Sequence, residues 1–447
     1  MSRYDQADIL RIAKEEDVEF IRLQFTDIFG MLKNVAITVS QLEKALDNRC
    51  MFDGSSIEGF VRDEETDMYL YPDLDTFEIF PWRPQQGKVA RLICDVYRPD
   101  GTPFEGDPRY VLRKALNHAK HMGYDFYVGP ECEFFLFHLD DQGLPTTTTH
   151  EKAGYFDVGP VDFAENVRRD IVLNLEDMGF EIEASHHEIA PGQHEIDFHY
   201  NEGLITADNI MTFKLAVKAI AKRHGLHATF MPKPKEGVNG SGMHINLSLF
   251  NEEGKNVFED VKDRRGLGLS KIAYAFMAGV LKHVSSMALL TNPLVNSYKR
   301  LVPGYDAPIY IGWSPYASRN CLMRIPITRG NGTRVELRSP DSAMNPYLAL
   351  AAILEAGLEG IEKNLELPDP VKGNPFMLTT EEREKFGIRQ IPNTLGRAIE
   401  AFEADPFIRR VLGEHIYSKY LEAKKEEWHE FRAQVTNWEV DQYLFKY

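Results

Sequence analysis

Apolar and polar residues in the first hundred positions change places at short intervals, which is typical of a small mixed sheet. The pattern predicts a helix at 1–16, strands at 20–25, 34–39 and 89–96, and a short helix at 40–46. Ser40 would be the N-cap of that short helix. Together these elements predict a small α/β domain at 15–100, followed by a Gly- and Pro-containing linker that ends at Pro108.

The remainder of the chain, 107–447, carries longer amphipathic and apolar segments. Helices are predicted at 109–122, 166–178, 205–223, 269–290, 345–365 and from about 394 onward, strands at 127–137, 243–249 and 334–338, and a hairpin at 181–200. The segment 269–290 is apolar, but Lys271 and Lys282 interrupt it. We therefore expect a core helix there, and no segment long and apolar enough to span a bilayer.

The strand predicted at 127–137 contains two carboxylates within an aromatic and β-branched run. Glu131 and Glu133 are two residues apart, so their side chains share one face of the strand, about 7 Å apart. Buried carboxylates must be paired, protonated or bound to a metal ion, because an isolated buried charge is very costly. The pattern alone leaves a metal site and an ion-paired strand end as open alternatives.

A second acidic pair flanks the turn of the predicted hairpin. Glu188 precedes the turn and Glu195 follows it, so the hairpin can place both carboxylates on one face. The neighbouring histidines are His186, His187 and His194. Histidine-rich strands occur in zinc sites. The spacing here matches no zinc motif, so we interpret most of these histidines as structural.

The strand predicted at 243–249 alternates strictly between apolar and polar residues. Its polar face carries His244, Asn246 and Ser248. Such a face suits either a functional site or simple exposure to solvent, and the sequence does not separate the two. The Gly-Ser-Gly turn before this strand is a weak phosphate-binding signal when it stands alone.

Arginines concentrate between residues 300 and 338, although the chain as a whole is acidic. The members of this group are Arg300, Arg319, Arg324, Arg329, Arg334 and Arg338. Guanidinium groups hold carboxylates and phosphates through paired hydrogen bonds, so a cluster of them suits a multiply charged anion. The alternative is a basic surface without a ligand.

The charge balance narrows the function classes. The chain of 447 residues has 68 acidic and 51 basic residues and a net charge of −17, which argues against non-specific binding to nucleic acid or to an anionic membrane. Its four cysteines are scattered without a Cys-x-x-Cys pair, so we expect reduced thiols in a cytoplasmic protein. Charged residues interrupt the first segment, and no signal peptide is expected there.

Two further stretches have unusual composition. Asp53 lies in the Gly- and Ser-rich segment 51–60, where an Asx-turn is the simplest interpretation of the residues alone. The chain ends in an aromatic-rich segment at 438–447. Exposed aromatic residues of this kind suggest burial against a second subunit.

Six short motifs occur together in the order and approximate spacing of one enzyme family. They are Phe52-Asp-Gly-Ser-Ser, Gly129-Pro-Glu-x-Glu-Phe-Phe, Asn239-Gly-Ser-Gly-Met-His, Lys299-Arg-Leu-Val-Pro-Gly-Tyr, Arg334-x-Glu-x-Arg and Asn345-Pro-Tyr. Each motif is weak alone, but all six in order are highly specific. Over essentially its whole length the chain resembles the class I bacterial glutamine synthetases of the α type, which is not adenylylated.

The resemblance implies an α+β fold, with a small N-terminal β-grasp domain followed by a large catalytic α/β domain of the glutamine synthetase/guanido kinase type. It implies a homo-oligomer, a dodecamer of two stacked hexameric rings, with active sites between neighbouring subunits and the C-terminal tail inserted into the facing ring. The implied reaction is ATP-dependent ligation of ammonia to glutamate through γ-glutamyl phosphate. Some relatives also bind nitrogen-regulatory transcription factors. No direct nucleic-acid or membrane contact is expected.

By motif, the resemblance assigns two or more divalent ions, Mg²⁺ or Mn²⁺, to each active site. One ion would be held by Glu133, Glu188 and Glu195, and another by Glu131, His244 and Glu336. Five carboxylates and one imidazole suit a hard or borderline cation better than zinc.

The same resemblance assigns the substrate-binding residues. Glutamate would be held by Asn239, Gly240, Arg300, Asp306, Arg319 and Arg338. ATP, as a substrate, would contact Glu183, Asn246, Ser248, Arg319 and Arg324. Asp53, donated by a neighbouring subunit, would bind ammonium and help to deprotonate it. Arg319 would act on the transferring phosphoryl group, and Asp306 would lie in the loop that closes the site.

The sequence departs from the family pattern at two site positions and offers one regulatory candidate. Asp306 stands where the family usually has Glu, which predicts weaker closure of the loop. Cys132 replaces the common Pro between two metal-binding glutamates and is expected to face the core. Arg62 resembles the arginine with which feedback-inhibited relatives sense glutamine, and a surface ion pair with Glu64 or Glu65 is the alternative.

Two other functions are compatible with the same motifs. A sister ligase would join glutamate to an amine or polyamine; Asp53 argues against it, and the shorter Asp306 argues weakly for it. An inactive structural or regulatory homologue would be expected to have lost some metal-binding residues, which this chain retains.

Phe376 aligns with the adenylylated tyrosine of some relatives and has no hydroxyl to modify.

Overall fold

The computed structural model describes residues 3–57, 59, 67–305, 307–315, 321–371 and 373–447. The strands are β1 (Val18–Thr26), β2 (Leu32–Thr38), β3 (Cys50–Asp53), β4 (Asp67–Ile79), β5 (Lys88–Tyr97), β6 (Asp125–His138), β7 (Ile182–His187), β8 (Gln193–Phe198), β9 (Asn201–Glu202), β10 (Leu226–Thr229), β11 (Met243–Phe250), β12 (Tyr310–Pro315), β13 (Cys321–Ile325) and β14 (Val335–Leu337). The helices are α1 (Gln6–Glu15), α2 (Leu42–Leu46), α3 (Pro108–His121), α4 (Glu165–Asp177), α5 (Gly203–Arg223), α6 (Lys271–Thr291), α7 (Ser297–Arg300), α8 (Pro346–Glu362), α9 (Thr380–Lys385), α10 (Leu395–Ala404), α11 (Pro406–Arg432) and α12 (Asn437–Tyr443). The predicted site residues Arg62, Asp306 and Arg319 lie outside the described residues.

The N-terminal strands form a five-stranded sheet in the order β2-β1-β5-β4-β3. Strands β1 and β5 run parallel, and the other neighbours are antiparallel. Strands β3 and β4 were not predicted. β4 carries Pro72, Asp73 and Asp75, which are unfavourable in strands, and its pairing with β5 shifts register between Asp73 and Glu78. The alternation that would have identified it is therefore broken in the middle.

The prediction that Ser40 caps a helix is wrong. Ser40 lies inside a 3₁₀ turn at Val39–Gln41, and its hydroxyl is 2.9 Å from the hydroxyl of Thr38. Helix α2 begins only at Leu42 and has no side-chain cap. The hydroxyl that the sequence offers to the helix is used by the preceding turn.

The remaining strands form a nine-stranded sheet with the path β12-β13-β14-β11-β6-β8-β7, and β9 and β10 also pair with β6. Strand β6, the acidic strand predicted at 127–137, is the central strand of this sheet and is 14 residues long. The thiol of Cys132 is buried on its core face, 3.5 Å from the sulfur of Met243. The opposite face of β6 therefore carries Glu131 and Glu133.

Helix α6 corrects one expectation from the sequence. By length and composition it is apolar enough to cross a membrane, whereas no such segment was expected. However, 78% of the most apolar 18-residue stretch of α6 is buried inside the protein. A Cβ at Gly279 would lie 2.0 Å from the carbonyl oxygen of Ala356 in α8. This close packing against α8 makes α6 a core helix, as predicted.

Two buried polar contacts join the N-terminal sheet to the rest of the molecule. Asn345 accepts the amide hydrogens at the start of α8 and donates its side-chain N–H to the carbonyls of Asp27 and Ile28. Arg109 of α3 donates to Asp95 of β5 at 2.7 Å and to Asp208 of α5 at 3.0 Å. These contacts fix the position of the sheet that carries Asp53.

Candidate active site

Strand pairing brings the predicted acidic residues onto one face of the nine-stranded sheet. Glu131 of β6 lies between His244 of β11 and Asp197 of β8 in register. Glu133, two residues along, pairs with Glu195 of β8. Because side chains alternate along each strand, these residues all point to the face opposite the core. The result is an acidic wall formed by three neighbouring strands.

One potential ligand group on this wall consists of Glu131, His244 and Glu336, whose ligand atoms lie within 4.8 Å of one another. The His244 Nδ1 atom is 2.8 Å from Glu131 and 3.7 Å from Glu336. Burial would raise the pKa of Glu131, but hydrogen bonds from His244 and Asn246 outweigh it and lower that pKa to about 2. This carboxylate is therefore ionised and available to a cation.

A second ligand group consists of His186, Glu188 and Glu195, again with ligand atoms within 4.8 Å of one another. His186 is 3.6 Å from Glu188 and 3.5 Å from Glu195. This histidine belongs to the acidic face, although it was not singled out from the neighbouring histidines in the sequence. Its position at i−2 from Glu188 was the available signal.

Glu133, predicted with Glu188 and Glu195, lines the same cavity as both. Its carboxylate accepts hydrogen bonds from the Gln193 side chain at 2.9 Å and from the Gly242 amide at 2.8 Å. Burial raises the pKa of Glu133 to about 7 and also raises the pKa of Glu195 well above its usual range. Burial therefore outweighs the nearby positive groups, including Arg300, at Glu133.

Asp197 is a site residue that the sequence analysis missed. It lies two residues after Glu195 on β8 and hence on the same face, which was the available signal. Burial, together with the charge of Glu131, raises the pKa of Asp197 to about 8. Its Oδ1 atom is buried and has no hydrogen-bond partner among the described residues. An orphaned buried carboxylate oxygen in an acidic wall fits a site for a divalent cation.

A cavity of about 300 Å³ lies in front of this wall. Its lining includes Glu131 and His244 of the first ligand group, all of the second group, and Asn239, Gly240, Arg300, Arg324 and Arg338. Arg338 donates to Glu336 at 2.6 Å, and Arg324 donates to the other oxygen of the same carboxylate. Arg300 is almost fully buried and donates to the carbonyl oxygen of Ser339 at 2.9 Å. Guanidinium groups held in place by hydrogen bonds therefore lie beside the carboxylates of the acidic wall.

A second cavity, of about 180 Å³, adjoins the first and shares Glu131 and Asp197 with it. Its other lining residues include Glu183, Tyr200, Asn246, Ser248, Arg334 and the turn at 331–333. Arg334 donates to the Asn246 side chain at 3.0 Å. Arg334 was part of the arginine cluster in the sequence but had no predicted role. Arg324, predicted to contact ATP, lines the first cavity instead.

Asp53 is not brought to either cavity within the described part of one chain. It is exposed at the end of the edge strand β3, and its carboxylate accepts a hydrogen bond from the Ser55 amide at 2.8 Å. This is the Asx-type contact that the sequence favoured. The C-terminal tail is also exposed, with Phe445 97% and Tyr447 100% accessible.

Comparison with known proteins agrees with this architecture. Residues 17–99 match the family model described as glutamine synthetase, beta-Grasp domain, and residues 105–443 match glutamine synthetase, catalytic domain. These matches confirm the predicted fold class.

Full-length relatives point the same way. A glutamine synthetase of Clostridium saccharobutylicum is 62% identical over 447 residues, which cover 100% of both chains. A glutamine synthetase of Staphylococcus aureus is 58% identical over 445 residues, which cover 99% of both. Among solved structures, a complex of GmaS with ADP is 32% identical, with a TM-score of 0.88 over 98% of this chain and 99% of that chain. By both family models and by full-length identity, this chain belongs to the glutamine synthetase family.

Proposed function

We propose that this chain catalyses the ATP-dependent ligation of ammonia to L-glutamate, which yields L-glutamine, ADP and phosphate through γ-glutamyl phosphate. One observation carries the proposal: two cavities open onto the same acidic wall and share Glu131 and Asp197. A nucleotide in the smaller cavity and an amino acid in the larger one would meet at that wall. Transfer of a phosphoryl group between them needs such a junction.

The acidic wall suits two or more divalent ions, Mg²⁺ or Mn²⁺. Glu131, His244 and Glu336 would hold one, and Glu133, Glu188 and Glu195, with His186 beside them, would hold another. Burial raises the pKa of Glu133, and one oxygen of Asp197 has no hydrogen-bond partner among the described residues. Both features are expected of buried carboxylates that would bind a cation. Such ions, when bound, neutralise phosphate oxygens and orient the reactants.

The chain's own cations would bind and orient the reacting groups. Arg300 and Arg338 would hold the carboxylates of glutamate, with Asn239 and Gly240 alongside in the same cavity. Arg324, held against Glu336, would stabilise charge on the transferring phosphoryl group. In the smaller cavity, Glu183, Asn246, Ser248 and also Arg334 would contact ATP.

Several roles depend on a second subunit or on residues outside the described part of the chain. Asp53 is exposed and lines neither cavity of its own chain, so we propose that it completes the site of a neighbouring copy and binds ammonium there. The exposed tail would bury its aromatic residues in the same assembly, a dodecamer. The roles of Arg62, Asp306 and Arg319, the contact with transcription factors and the domain division at 15–100 and 107–447 stay predictions. All four cysteines are free and buried, which agrees with a proposed cytoplasmic location.

Phosphate release from ATP and Mg²⁺ with glutamate tests the proposal, with ammonium compared against hydroxylamine, methylamine and putrescine. We expect ammonium to be preferred and glutamine to accumulate, because Asp53 offers a carboxylate to a small cation. Preference for a larger amine would instead assign the protein to the amine ligases, and no turnover with any acceptor would identify an inactive homologue. The full-length relatives favour neither alternative.

A further inference from the structure

A second group of ionisable side chains lies behind the acidic wall, on the opposite side of the β7–β8 hairpin. This rear cluster consists of Glu151, Asp162, Arg168, His187 and His194, all buried. His187 alternates with His186 and Glu188 along the chain, and His194 directly precedes Glu195. The two histidines therefore point away from the proposed metal ligands, into the protein.

The hydrogen bonds of His187 determine which of its ring nitrogens carry a hydrogen. Its Nε2 atom is 2.9 Å from a carboxylate oxygen of Glu151, and its Nδ1 atom is 2.6 Å from the carbonyl oxygen of Glu188. Both partners can only accept, so both ring nitrogens must carry a hydrogen. His187 therefore links Glu151 to the backbone of a proposed metal ligand.

His194 is held by a different pattern. Its Nδ1 atom accepts a hydrogen bond from Arg168 at 3.0 Å, because a guanidinium can only donate. The single ring hydrogen is then on Nε2, which lies 3.8 Å from Glu151. Although Glu151, His187 and His194 bring three potential ligand atoms within 4.8 Å, neither histidine has a free lone pair there. The rear cluster is thus an ion-pair network and not a metal centre.

The network also attaches the segment 151–163 to the hairpin. Asp162 binds Arg168 at 2.6 Å, and Glu151 accepts a hydrogen bond from the Phe163 amide at 3.2 Å. The Phe156 amide donates to the carbonyl oxygen of His187 at 3.1 Å. Through Glu151, Phe156 and the Asp162–Arg168 pair, this segment is therefore connected to His187 and His194, the strand positions next to Glu188 and Glu195.

We propose that the rear cluster positions the metal site: Glu151 and His187 hold the hairpin so that Glu188 and Glu195 converge on one ion. The inference rests on the metal-binding role given to these two glutamates above. Carboxylates packed this closely repel each other when ionised, so the hairpin that carries them needs an anchor on its other side. The hydrogen bonds from Glu151 through the buried His187 ring to the backbone of Glu188 provide that anchor.

The test is the Mn²⁺ dissociation constant of the full chain without ATP or glutamate, measured by electron paramagnetic resonance of the free ion. Glu151→Gln keeps the size of the side chain but removes the charge that holds His187. We expect the Mn²⁺ dissociation constant to rise about 10-fold, as is typical when a partner of a metal ligand is lost. The metal KM should rise equally, while kcat at saturating Mn²⁺ stays within about twofold of wild type, because the ligands themselves remain.

The matched control is His283→Gln. His283 is also buried and lies 2.7 Å from Asp405 and 3.1 Å from Glu359, so both of its ring nitrogens also contact carboxylates, but in α6. This variant should lower the Tm and leave Mn²⁺ affinity unchanged. If it weakens Mn²⁺ binding as much as Glu151→Gln does, the effect is general destabilisation and the inference is wrong.

Two further outcomes separate the inference from the proposed function. Wild-type Mn²⁺ affinity in Glu151→Gln overturns the positioning role alone, whereas absence of Mn²⁺ binding in the wild-type protein overturns the metal site and the positioning role together. If Glu151→Gln does not fold, Arg168→Lys replaces it, since it keeps the charge and loses the planar guanidinium. Unchanged Mn²⁺ affinity in folded Arg168→Lys would equally contradict the inference.

Discussion

The two sides of the β7–β8 hairpin carry the same types of side chain but opposite charge balances. On the acidic wall, burial and the charge of Glu188 raise the pKa of Glu133 to about 7, although His244 and Arg300 oppose this. In the rear cluster burial also disfavours the charge of Glu151, yet its hydrogen bond with His187 lowers the pKa of that carboxyl. Both sides bring three potential ligand atoms within 4.8 Å. Residue types and spacing therefore do not by themselves identify a metal site.

The largest expected effect tests the acidic wall by Glu131→Gln. The amide cannot supply an anionic ligand, so we expect kcat/KM for glutamine formation to fall on the order of 100- to 1000-fold. The matched control is Glu355→Gln, which also removes a carboxylate 3.0 Å from a histidine, His118, but lies in α8. Steady-state kinetics should find the control close to wild type. Equal losses in both variants would contradict a special role for the wall.

Asp197→Asn tests whether the residue shared by both cavities belongs to the metal site. We expect the metal KM to rise about 10-fold, since a charged neighbour of the proposed ligands is lost. The metal-free variant should also melt at a higher temperature than wild type near pH 8, because the pKa of Asp197 is raised to about 8 and its ionisation there is unfavourable. An unchanged metal KM would place Asp197 outside the site.

The pH dependence of thermal stability without metal separates the two sides further. The folded-state pKa values of Glu133, about 7, and Asp197, about 8, exceed their ordinary values of 4.5 and 3.8. Their contribution is therefore fully present below those ordinary values and is lost as pH rises through 7 and 8. Differential scanning fluorimetry with chelator should show a Tm that falls as pH rises, and saturating Mg²⁺ should remove most of that fall.

His187 contributes a loss of the same sign from the rear cluster. Although burial opposes it, the hydrogen bond to Glu151 raises the pKa of His187 above 6.5, so its stabilisation is lost as pH rises through the raised value. Mg²⁺ should not restore this part, because the ion would bind on the other side of the hairpin. A Tm profile that Mg²⁺ flattens completely would contradict the division into two sides.

The last prediction is that the rear cluster binds no Zn²⁺. A variant with both Glu131→Gln and Glu188→Gln lacks one proposed ligand carboxylate of each metal site on the acidic wall, whereas the rear cluster is unchanged. We expect no Zn²⁺ to remain bound after gel filtration, because His187 and His194 have no lone pair free for it. Retained Zn²⁺ that is lost on adding His187→Gln would show that the rear cluster binds metal after all.

The acidic wall was predictable from the sequence to the extent that alternation determines which residues share a strand face. Glu131 with Glu133, and Glu188 with Glu195, follow from that rule. Which strands lie side by side does not follow from it. The pairing of Glu131 with Asp197 is set by the register of β6 and β8, so Asp197 was missed despite its position two residues from Glu195.

Other features depend on distances or on a second chain. The charge of His187 follows from two contacts, to Glu151 and to the Glu188 carbonyl, that no pattern in the sequence contains. The role of Asp53 came only from the family resemblance, because within one chain it makes a local turn contact. Strand β4 was not predicted because Pro72 and the neighbouring aspartates are unfavourable in strands. Its pairing with β5 stabilises it nevertheless.

The most direct test of the metal assignment is anomalous diffraction from crystals of the full chain grown with Mn²⁺ and a non-hydrolysable ATP analogue. We expect Mn²⁺ peaks beside Glu131, His244 and Glu336 and beside Glu188 and Glu195, and no peak between Glu151 and His187. A peak in the rear cluster, or an acidic wall without Mn²⁺, would contradict this assignment.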